Sequence, residues 1–482
     1  MSSLRSAGTR LLDRIDDPAG PLRTVERKVR DGPLIHSYYA LFACSVLLSA
    51  IGVMMVLSAS AVESISAEES AYGLFMRQVV FGVLGIVVML VLSRVPARAM
   101  RALALPGFWI SVVILALVVP FGVEVNGNRN WLSIGGLSVQ PSEIAKLTCV
   151  LALGVWLGRV AGRIRTPKEA LWPSAMAVGI PVLFVMYGRD MGTAAIFLLI
   201  YLAAVFFAGV PMRWILIAFA GGFVVAALFI VSAPHRIGRV QSWLTGDCDP
   251  SAGCYQAMHG LSALATGGWW GVGLGQSRSK YNYVPEAHND FIFAIIGEEL
   301  GLLGTVLILG LFAVMAVAMA RVLLRCTSGF ERIVTGGILA WLIGQAFVNI
   351  GMVTGVLPVI GVPLPFISYG GSSLLMCLAA VGVVMSFARR PSSGMVELRP
   401  VPRRPGAPID RSAPISGVRA YDEPRAAGRD ARDRGHHDDA WHDAWHDDPR
   451  GRHDMHPYDD REPIAEVHDI RRGRVIRRQS GS

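Results

Sequence analysis

One carboxylate, Asp290, lies where a polar stretch gives way to a long apolar one. Residues 291–296 are all apolar, so the side chain is expected at the mouth of a membrane segment, where a carboxylate is costly to bury and is functional as a rule. Partial removal from water favours the protonated form of a carboxyl group, which tunes it to act as a general base near neutral pH. Aspartate also suits a helix N-cap, as do the nearby Glu286 and Asn289, so position alone leaves both roles open.

Composition indicates a protein of the membrane. The chain has 482 residues, of which 52% are hydrophobic and 17% charged, and its mean hydropathy is +0.46. Soluble proteins carry more charge than this. The net charge of +9 comes from Lys and Arg residues beside the apolar runs and in the two termini. This placement indicates a signal for membrane topology. We therefore expect no nucleic-acid partner. No cleavable signal peptide is expected, because the first 37 residues are polar and Arg-rich.

Ten apolar segments are each long enough to cross or nearly cross a bilayer. They predict helices at 38–59, 75–93, 104–121, 142–160, 172–187, 191–210, 213–233, 288–320, 333–357 and 372–388. The predicted fold class is therefore an all-α polytopic membrane protein with a large loop at 234–287. Its predicted parts are a basic arm at 1–37, a ten-helix membrane domain at 38–390 and a tail at 391–482. The tail is rich in Pro, Arg, Gly, Asp and His, cannot bury enough apolar surface to fold, and is predicted to be disordered.

Basic residues in the short connections predict the orientation. They all fall on one side of the predicted bundle: Arg94, Arg98, Arg101, Arg159, Arg163, Arg165, Lys168, Arg321, Arg325, Arg332, Arg389 and Arg390. The first loop on the opposite side carries Glu63, Glu68 and Glu69 instead. Both termini are therefore predicted to be cytoplasmic, with the loop at 234–287 outside.

Two polar stretches on the predicted outer side surround the fourth and fifth helices. Arg129 lies in the loop before the fourth helix, and Glu143 and Lys146 lie a turn apart inside it. The two form either a simple i,i+3 pair or an inward-facing functional pair, which the apolar surroundings favour. Asp190, after the fifth helix, suits a cap of the sixth helix as well as a functional site.

Two further stretches lie later in the chain. A glycine-rich run at 267–275 is followed by Arg278 and Lys280. Glycine lets the backbone approach a ligand closely, and the two bases suit phosphate or anionic lipid headgroups equally. Residues 355–373 hold three prolines and four glycines and include Ser368 and Ser372. This composition excludes a regular helix and predicts a re-entrant segment, before the last helix, that lines an outward-facing cavity.

The six cysteines fall into two groups. Cys248 and Cys254 share the loop at 234–287 and predict a small disulfide if that loop faces an oxidising compartment. A metal site would need more ligands than this pair offers. The other four lie in apolar runs and are predicted to be packing residues: Cys44, Cys149, Cys326 and Cys377.

Four motifs resemble those of the SEDS (shape, elongation, division and sporulation) family: residues 285–301, 140–143, 190–193 and 363–373. The resemblance covers about 38–390 and is nearer to the cell-division branch found in actinobacteria than to the elongation branch. It implies a peptidoglycan glycosyltransferase that polymerises lipid II into glycan strands. Lipid II is a disaccharide pentapeptide linked to undecaprenyl diphosphate. The resemblance places this reaction at the outer face of the cytoplasmic membrane, at the division septum. It assigns the essential carboxylate to Asp290. It also implies a complex with a class B penicillin-binding protein and other divisome proteins, for which the tail is a candidate binding segment.

In that reaction the 4-hydroxyl of the acceptor GlcNAc attacks C1 of the donor MurNAc, and Asp290 takes the hydroxyl proton while a diphosphate leaves. Because this is a single displacement, it inverts the anomeric centre. Charge developing on the diphosphate calls for cations, either basic side chains or a divalent cation such as Mg²⁺ or Mn²⁺. The candidate binding residues are Arg129, Glu143, Lys146, Asp190, Arg278, Lys280, Glu286, Ser368 and Ser372. The chain departs from the family in two places: Asn289 stands where threonine is frequent, and Asn130 stands where arginine often precedes Trp131, which leaves Arg129 as the cation of that loop.

Three alternatives stay open. Ten helices with broken segments and buried charges also suit a transporter, here a lipid II flippase. The polar motifs lie on the predicted outer side rather than at the midplane, which favours the enzyme. An elongation-type polymerase of the same family and a non-enzymatic scaffold for division proteins are the other two.

Overall fold

The computed structural model describes residues 34–66, 73–125, 128–134, 137–161, 167–231, 234–245, 255–278 and 288–389, and four residues near the C-terminus. The chain divides into two compact units, Met1–Arg399 and Pro400–Ser482. In the second unit, the described residues are the strands β4 (His468–Asp469) and β5 (Arg474–Val475), which pair antiparallel. The rest of the predicted tail and residues 1–33 of the predicted basic arm lie outside the described residues, while residues 35–37 of that arm belong to the first helix.

All ten predicted helices are confirmed. They are α1 (Ile35–Ser66), α2 (Gly73–Leu92), α3 (Ala97–Phe121), α4 (Pro141–Val160), α5 (Pro167–Tyr187), α6 (Met191–Ala208), α7 (Met212–Val231), α10 (Ile292–Arg325), α11 (Gly329–Val353) and α12 (Gly371–Ala388). Within the described ranges, eight of these are long and apolar enough to span a bilayer. The other two are α4, which carries three charged residues, and α5, whose apolar part is shorter. α12 lies at the centre of the bundle, since 78% of its span is buried, whereas α7 lies at the periphery with 6% buried.

Helix boundaries near the predicted site differ from the prediction. α10 begins at Ile292, with Phe291 at the N-cap position, whereas the sequence predicted a start at 288. Residues 288–291 form a turn, so Asp290 precedes the helix. α11 ends at Val353 rather than 357, because the chain turns at Gly355, which has a φ of 76°.

The loop predicted at 234–287 contains two helices that sequence reasoning did not find. They are α8 (Pro234–Thr245) and α9 (Tyr255–Gly267). α9 packs against α10, where Gly260 faces the ring of Phe291. α8 contacts the end of α11 through Trp243, whose Nε1 donates to the Gly355 carbonyl at 3.0 Å.

A small antiparallel sheet replaces the loop predicted before α4. Its strands are β1 (Val123–Val125), β2 (Asn128–Ile134) and β3 (Leu137–Val139), with β2 in the middle. Val125 lies opposite Asn128, and Ile134 opposite Leu137. The sequence between the strands is Asn-Gly and Gly-Gly, both of which are hairpin signals.

The described connections gather at two ends of the bundle. At one end, called the basic end, Arg101 donates to Ser328 Oγ at 3.0 Å and Ser386 donates to the Val95 carbonyl at 2.6 Å. These contacts bring together the α2–α3 connection, the α10–α11 connection and the end of α12, which the sequence predicted on one side. The other end, called the long-loop end, is built from residues 122–125, 128–134, 137–140, 188–190, 268–278, 288–290 and 354–370.

The described cysteines behave as packing residues, as predicted. Cys44, Cys149 and Cys377 are buried thiols, and Cys326 is a half-buried one. Cys248 and Cys254, the predicted disulfide pair, lie outside the described residues.

Candidate functional site

Asp290 lies at the long-loop end, half-buried in the turn before α10. One wall of its surroundings is the irregular segment that precedes α12. A Cβ built on Gly361 would lie 3.2 Å from Asp290 Oδ2, so this part of the segment lies directly beside the carboxylate. Ser368 fixes the same wall: its buried hydroxyl donates to the Asn289 carbonyl at 2.7 Å and accepts from Leu364 N at 2.7 Å.

Residues 354–370 form the broken segment that the prolines and glycines predicted, and the structure confirms that they are not helical. Buried irregular backbone needs hydrogen-bond partners from its neighbours. Gln78 of α2 provides two: its Nε2 donates to the Ser368 carbonyl at 3.2 Å and its Oε1 accepts from Gly370 N at 3.3 Å. Gln78 is itself fully buried, and sequence reasoning did not single it out.

Asp190 caps α6, which confirms the capping interpretation. Its carboxylate accepts from Thr193 N at 2.8 Å and from the Thr193 hydroxyl at 2.7 Å, and Gln140 Nε2 lies 3.2 Å from Oδ2. Burial raises the pKa of Asp190, while the Thr193 hydrogen bonds and the charge of Lys146 lower it, and the charge of Glu143 raises it further. The carboxylate is thus held by Thr193 in the first turn of α6 and by Gln140, the residue before α4.

Arg129 is an exposed cation beside this turn. Its backbone N donates to the Gly188 carbonyl at 3.2 Å, and its Nε donates to the Gly122 carbonyl at 2.8 Å. The small sheet therefore packs on the link between α5 and α6 and carries a positive charge to the long-loop end.

Glu143 and Lys146 form the inward-facing pair that the sequence favoured. Lys146 Nζ lies 2.9 Å from Glu143 Oε1 and 3.2 Å from Gln345 Oε1, and it sits 4.9 Å from the centre of the Trp341 ring. Both charged residues are only 1% exposed. Glu143 Oε2 and the hydroxyl of Ser142 are buried and have no partner among the described residues. The pair is therefore internal to the bundle and does not reach its surface.

The remaining predicted residues are spread over several environments. Ser372 is buried and accepts from Gln140 N at 3.3 Å. Arg278 is exposed, and its backbone N is bound to α10. Lys280 and Glu286 lie outside the described residues.

The glycine-rich loop, here residues 267–278, approaches the protein's own helix rather than a ligand. α10 is broken at Gly301, which has a φ of 67° and a ψ of −163°. The next two amides lose their helical acceptors and bond to the loop instead. Leu302 N donates to the Gly268 carbonyl at 2.9 Å, and Leu303 N donates to the Trp269 carbonyl at 3.4 Å.

The carbonyls before the break are also satisfied by the loop. Val272 N donates to the Glu298 carbonyl at 2.9 Å, and Gly273 N donates to the Glu299 carbonyl at 3.1 Å. Gly271 has a φ of 77°, and a Cβ there would overlap the Glu299 carbonyl oxygen. Four loop-to-helix hydrogen bonds thus replace the helical ones around the break, and the close approach requires glycine.

Two buried carboxylates fasten the end of this loop, and sequence reasoning missed both. Glu298 accepts from Ser277 Oγ at 2.6 Å and from Arg278 N at 3.0 Å. Glu299 accepts from Ser58 Oγ of α1 at 2.6 Å and from Ser277 N at 3.4 Å. Both glutamates are 1% exposed. The available signal was an acidic pair inside an apolar run, which is a reason to suspect function in a membrane segment.

A cavity of about 400 Å³ lies between α9, the glycine-rich loop, α10 and the end of α11. Its lining is mainly apolar: Leu264, Gly268, Trp269, Phe293, Gly297, Gly301, Leu302, Thr305, Leu309, Ile350 and Thr354. Phe293, three residues after Asp290 in the sequence, is one of the lining residues. Across the described ranges, no three His, Cys, Asp or Glu side chains group closely enough to hold a metal ion.

Together these features define a polytopic membrane protein with a polar, loop-built site at one end of its helix bundle. Residues 38–393 match the family model described as cell cycle protein, which covers FtsW, RodA and SpoVE. The chain belongs to this family, which confirms the resemblance inferred from the four motifs.

Two curated relatives carry division and sporulation names. The probable peptidoglycan glycosyltransferase FtsW of Mycobacterium tuberculosis is 40% identical over 369 residues, which are 75% of this chain and 70% of the relative. Stage V sporulation protein E of Bacillus subtilis is 36% identical over 350 residues, 72% of this chain and 95% of the relative.

Two solved structures share the fold. A chain of a peptidoglycan synthase complex that coordinates polymerization and crosslinking is 32% identical, with a TM-score of 0.61, and the match covers 73% of this chain and 97% of that one. The rod shape determining protein RodA of Thermus thermophilus is 28% identical, with a TM-score of 0.54, and the match covers 73% and 96%.

Proposed function

We propose that this chain is a peptidoglycan glycosyltransferase that polymerises lipid II during septal cell-wall synthesis, with Asp290 as its general base. The observation that carries the proposal is the position of this carboxylate, half-buried beside Gly361 and outside the start of α10. A carboxylate there is partly removed from water yet open to a substrate at the long-loop end. Relatives named peptidoglycan glycosyltransferase, at up to 40% identity, support the reaction.

In the proposed reaction the acceptor's 4-hydroxyl oxygen forms a bond to C1 of the donor sugar, and Asp290 takes the hydroxyl proton. The bond from C1 to the diphosphate oxygen breaks, and its electron pair leaves on the diphosphate. A single displacement of this kind inverts the anomeric centre. Arg129 and Arg278 are exposed cations at the long-loop end that suit the leaving diphosphate, and Lys280 stays a candidate.

Other predicted residues fit supporting roles. Ser368 and Ser372 hold backbone near the site, and the Glu143–Lys146 pair stabilises the interior of the bundle beneath it. We propose that the polyprenyl chain of the lipid substrate lies in the apolar cavity that Phe293 helps to line.

The site is proposed to face the outside, with both termini in the cytoplasm. Arg101 and the other bases of the short connections at the basic end support this orientation. Accessibility of single cysteines placed at Glu124 and at Arg101, tested with a membrane-impermeant thiol reagent on intact cells, checks it. Labelling at position 124 alone is expected, and labelling at 101 alone would reverse the topology.

A membrane complex with a class B penicillin-binding protein is also proposed. The solved complex of a similar chain, which coordinates polymerization and crosslinking, supports it. Purification of the tagged chain from its native membranes in mild detergent, followed by mass spectrometry, is expected to recover a transpeptidase. Recovery of the chain without one would count against the complex. A fluorescent fusion is expected at the division septum, and a signal along the side wall would favour the elongation role.

The central experiment compares the wild type with Asp290→Asn on lipid II in liposomes. Glu124→Gln is the matched control, because it makes the same change at an exposed carboxylate of β1. Polymer is expected from the wild type and from the control but not from Asp290→Asn. Equal polymer from all three would remove Asp290 as the base. Movement of fluorescent lipid II across the bilayer without polymer would support a flippase instead, and neither activity would favour a scaffold.

A further inference from the structure

The backbone of residues 288–290 is held by three separate donors. Their three successive carbonyl oxygens accept from Tyr369 N at 3.0 Å, from Ser368 Oγ at 2.7 Å and from Asn349 Nδ2 at 2.8 Å. The first donor, Tyr369 N, is a backbone amide, so this bond does not depend on the side chain of Tyr369. The last, from Asn349, is the one that binds the carbonyl of Asp290 itself.

Asn349 makes a second hydrogen bond with the same nitrogen. Nδ2 donates to the Val362 carbonyl at 2.6 Å, so one buried amide group joins the backbone of Asp290 to the residue after Gly361. Gly361 is the residue that lies directly beside the Asp290 carboxylate. The Asn349 amide therefore sets the distance between the backbone of Asp290 and the segment at 361–362, which the Asp290 side chain faces.

The amide orientation of Asn349 follows from its partners. The side chain is fully buried, and both neighbours of Nδ2 are carbonyl oxygens, which accept and cannot donate. Its Oδ1 is buried without a partner among the described residues. A buried acceptor without a donor costs free energy, so the side chain is held there by its two N–H bonds alone.

We propose that Asn349 is a positioning residue for the transfer reaction, which holds Asp290 in the orientation that takes the acceptor proton. The inference rests on the proposed function. Asn349 does not touch the substrate, and it acts through the backbone of Asp290 and the wall at Val362. Displacing a reacting group by about 1 Å can lower the rate about 100-fold, so loss of this amide should act on the chemical step.

The test is the kinetics of Asn349→Leu, which removes both donors at similar size. The full chain, purified from native membranes and placed in liposomes, is assayed for polymerisation of lipid II. We expect kcat to fall about 10- to 100-fold, while KM for lipid II and the folded fraction stay within about twofold of the wild type. Thr335→Val is the matched control, because it removes a fully buried hydroxyl from the same helix next to Cys326, away from the site, and wild-type kcat is expected.

Each outcome has a distinct meaning. Wild-type kcat in Asn349→Leu overturns the inference, and so does a fall that matches a loss of folded protein or a rise in KM. If Asn349→Leu does not fold, Asn349→Ser, which keeps one donor on a shorter side chain, replaces it, and unchanged kcat there overturns the inference too. Full activity of Asp290→Asn would instead refute the proposed base, whatever the Asn349 variants do.

Discussion

Replacement of Gly271 by alanine should detach the glycine-rich loop from the break in α10. Gly271→Ala has two costs. A residue with a side chain loses about 1–2 kcal/mol in the left-handed region, and the φ of Gly271 is 77°. The new Cβ would also overlap the Glu299 carbonyl oxygen, which forces the loop away. The bonds from Val272 N and Gly273 N would then break, at about 0.5–1.5 kcal/mol each.

Gly275 provides a control with the same φ. Its φ is also 77°, but no described atom lies within 4 Å of a Cβ built there. Gly275→Ala should therefore cost about 1–2 kcal/mol, whereas Gly271→Ala should cost about 2–5 kcal/mol. The difference of about 1–3 kcal/mol corresponds to about a 5- to 150-fold change in a local opening equilibrium.

Hydrogen–deuterium exchange of the protein in lipid nanodiscs measures that equilibrium directly. The amides of Val272 and Gly273 should exchange faster in Gly271→Ala than in Gly275→Ala by the calculated ratio, because the displaced loop no longer reaches the Glu298 and Glu299 carbonyl acceptors. Equal exchange in the two variants would refute the reasoning that the loop completes the hydrogen bonding of the broken helix.

Three further predictions concern the interior pair, the helix cap and the cysteines. Lys146→Met should lower the free energy of unfolding by about 3–5 kcal/mol, because it leaves Glu143 buried and unpaired. Adding Glu143→Gln should recover most of the loss in the melting temperature measured in detergent. Equal losses in the single and double variants would contradict the pairing. Burial raises the pKa of Asp190 in the folded protein above its ordinary 3.8. The protonated side chain therefore contributes to the free energy of unfolding below pH 3.8, and this contribution is lost as the pH rises through the folded-state pKa. Asp190→Asn should therefore flatten the fall in melting temperature above about pH 4, and an unchanged slope would exclude this source. Mass spectrometry without reduction should find Cys248 linked to Cys254, and free thiols at both would end that prediction.

Hydrophobic runs determined the ten long helices of the bundle, though not α8 and α9. The composition of those runs determined that they belong in a membrane, because a bilayer accepts little other than long apolar helices. The sequence also placed Asp290 at a helix mouth and Glu143 beside Lys146 inside an apolar helix, and the structure confirms the inward-facing pair. These features are local in the chain. Patterns that recur every few residues are enough to predict them.

Other features depend on segments that are distant in the sequence and were not predictable from it. Ser58 binds Glu299 across 241 positions, and Asn349 binds the Asp290 carbonyl across 59. The same holds for the glycine-rich loop, whose glycines suggested a ligand but meet α10 instead, since the spacing of glycines does not say which backbone will approach. The pattern of the chain thus predicted the ten long helices and which of them carry charged residues. Only the packing of the helices decided which buried donors hold the backbone of residues 288–290, because those donors come from elements that are distant in sequence and adjacent in space.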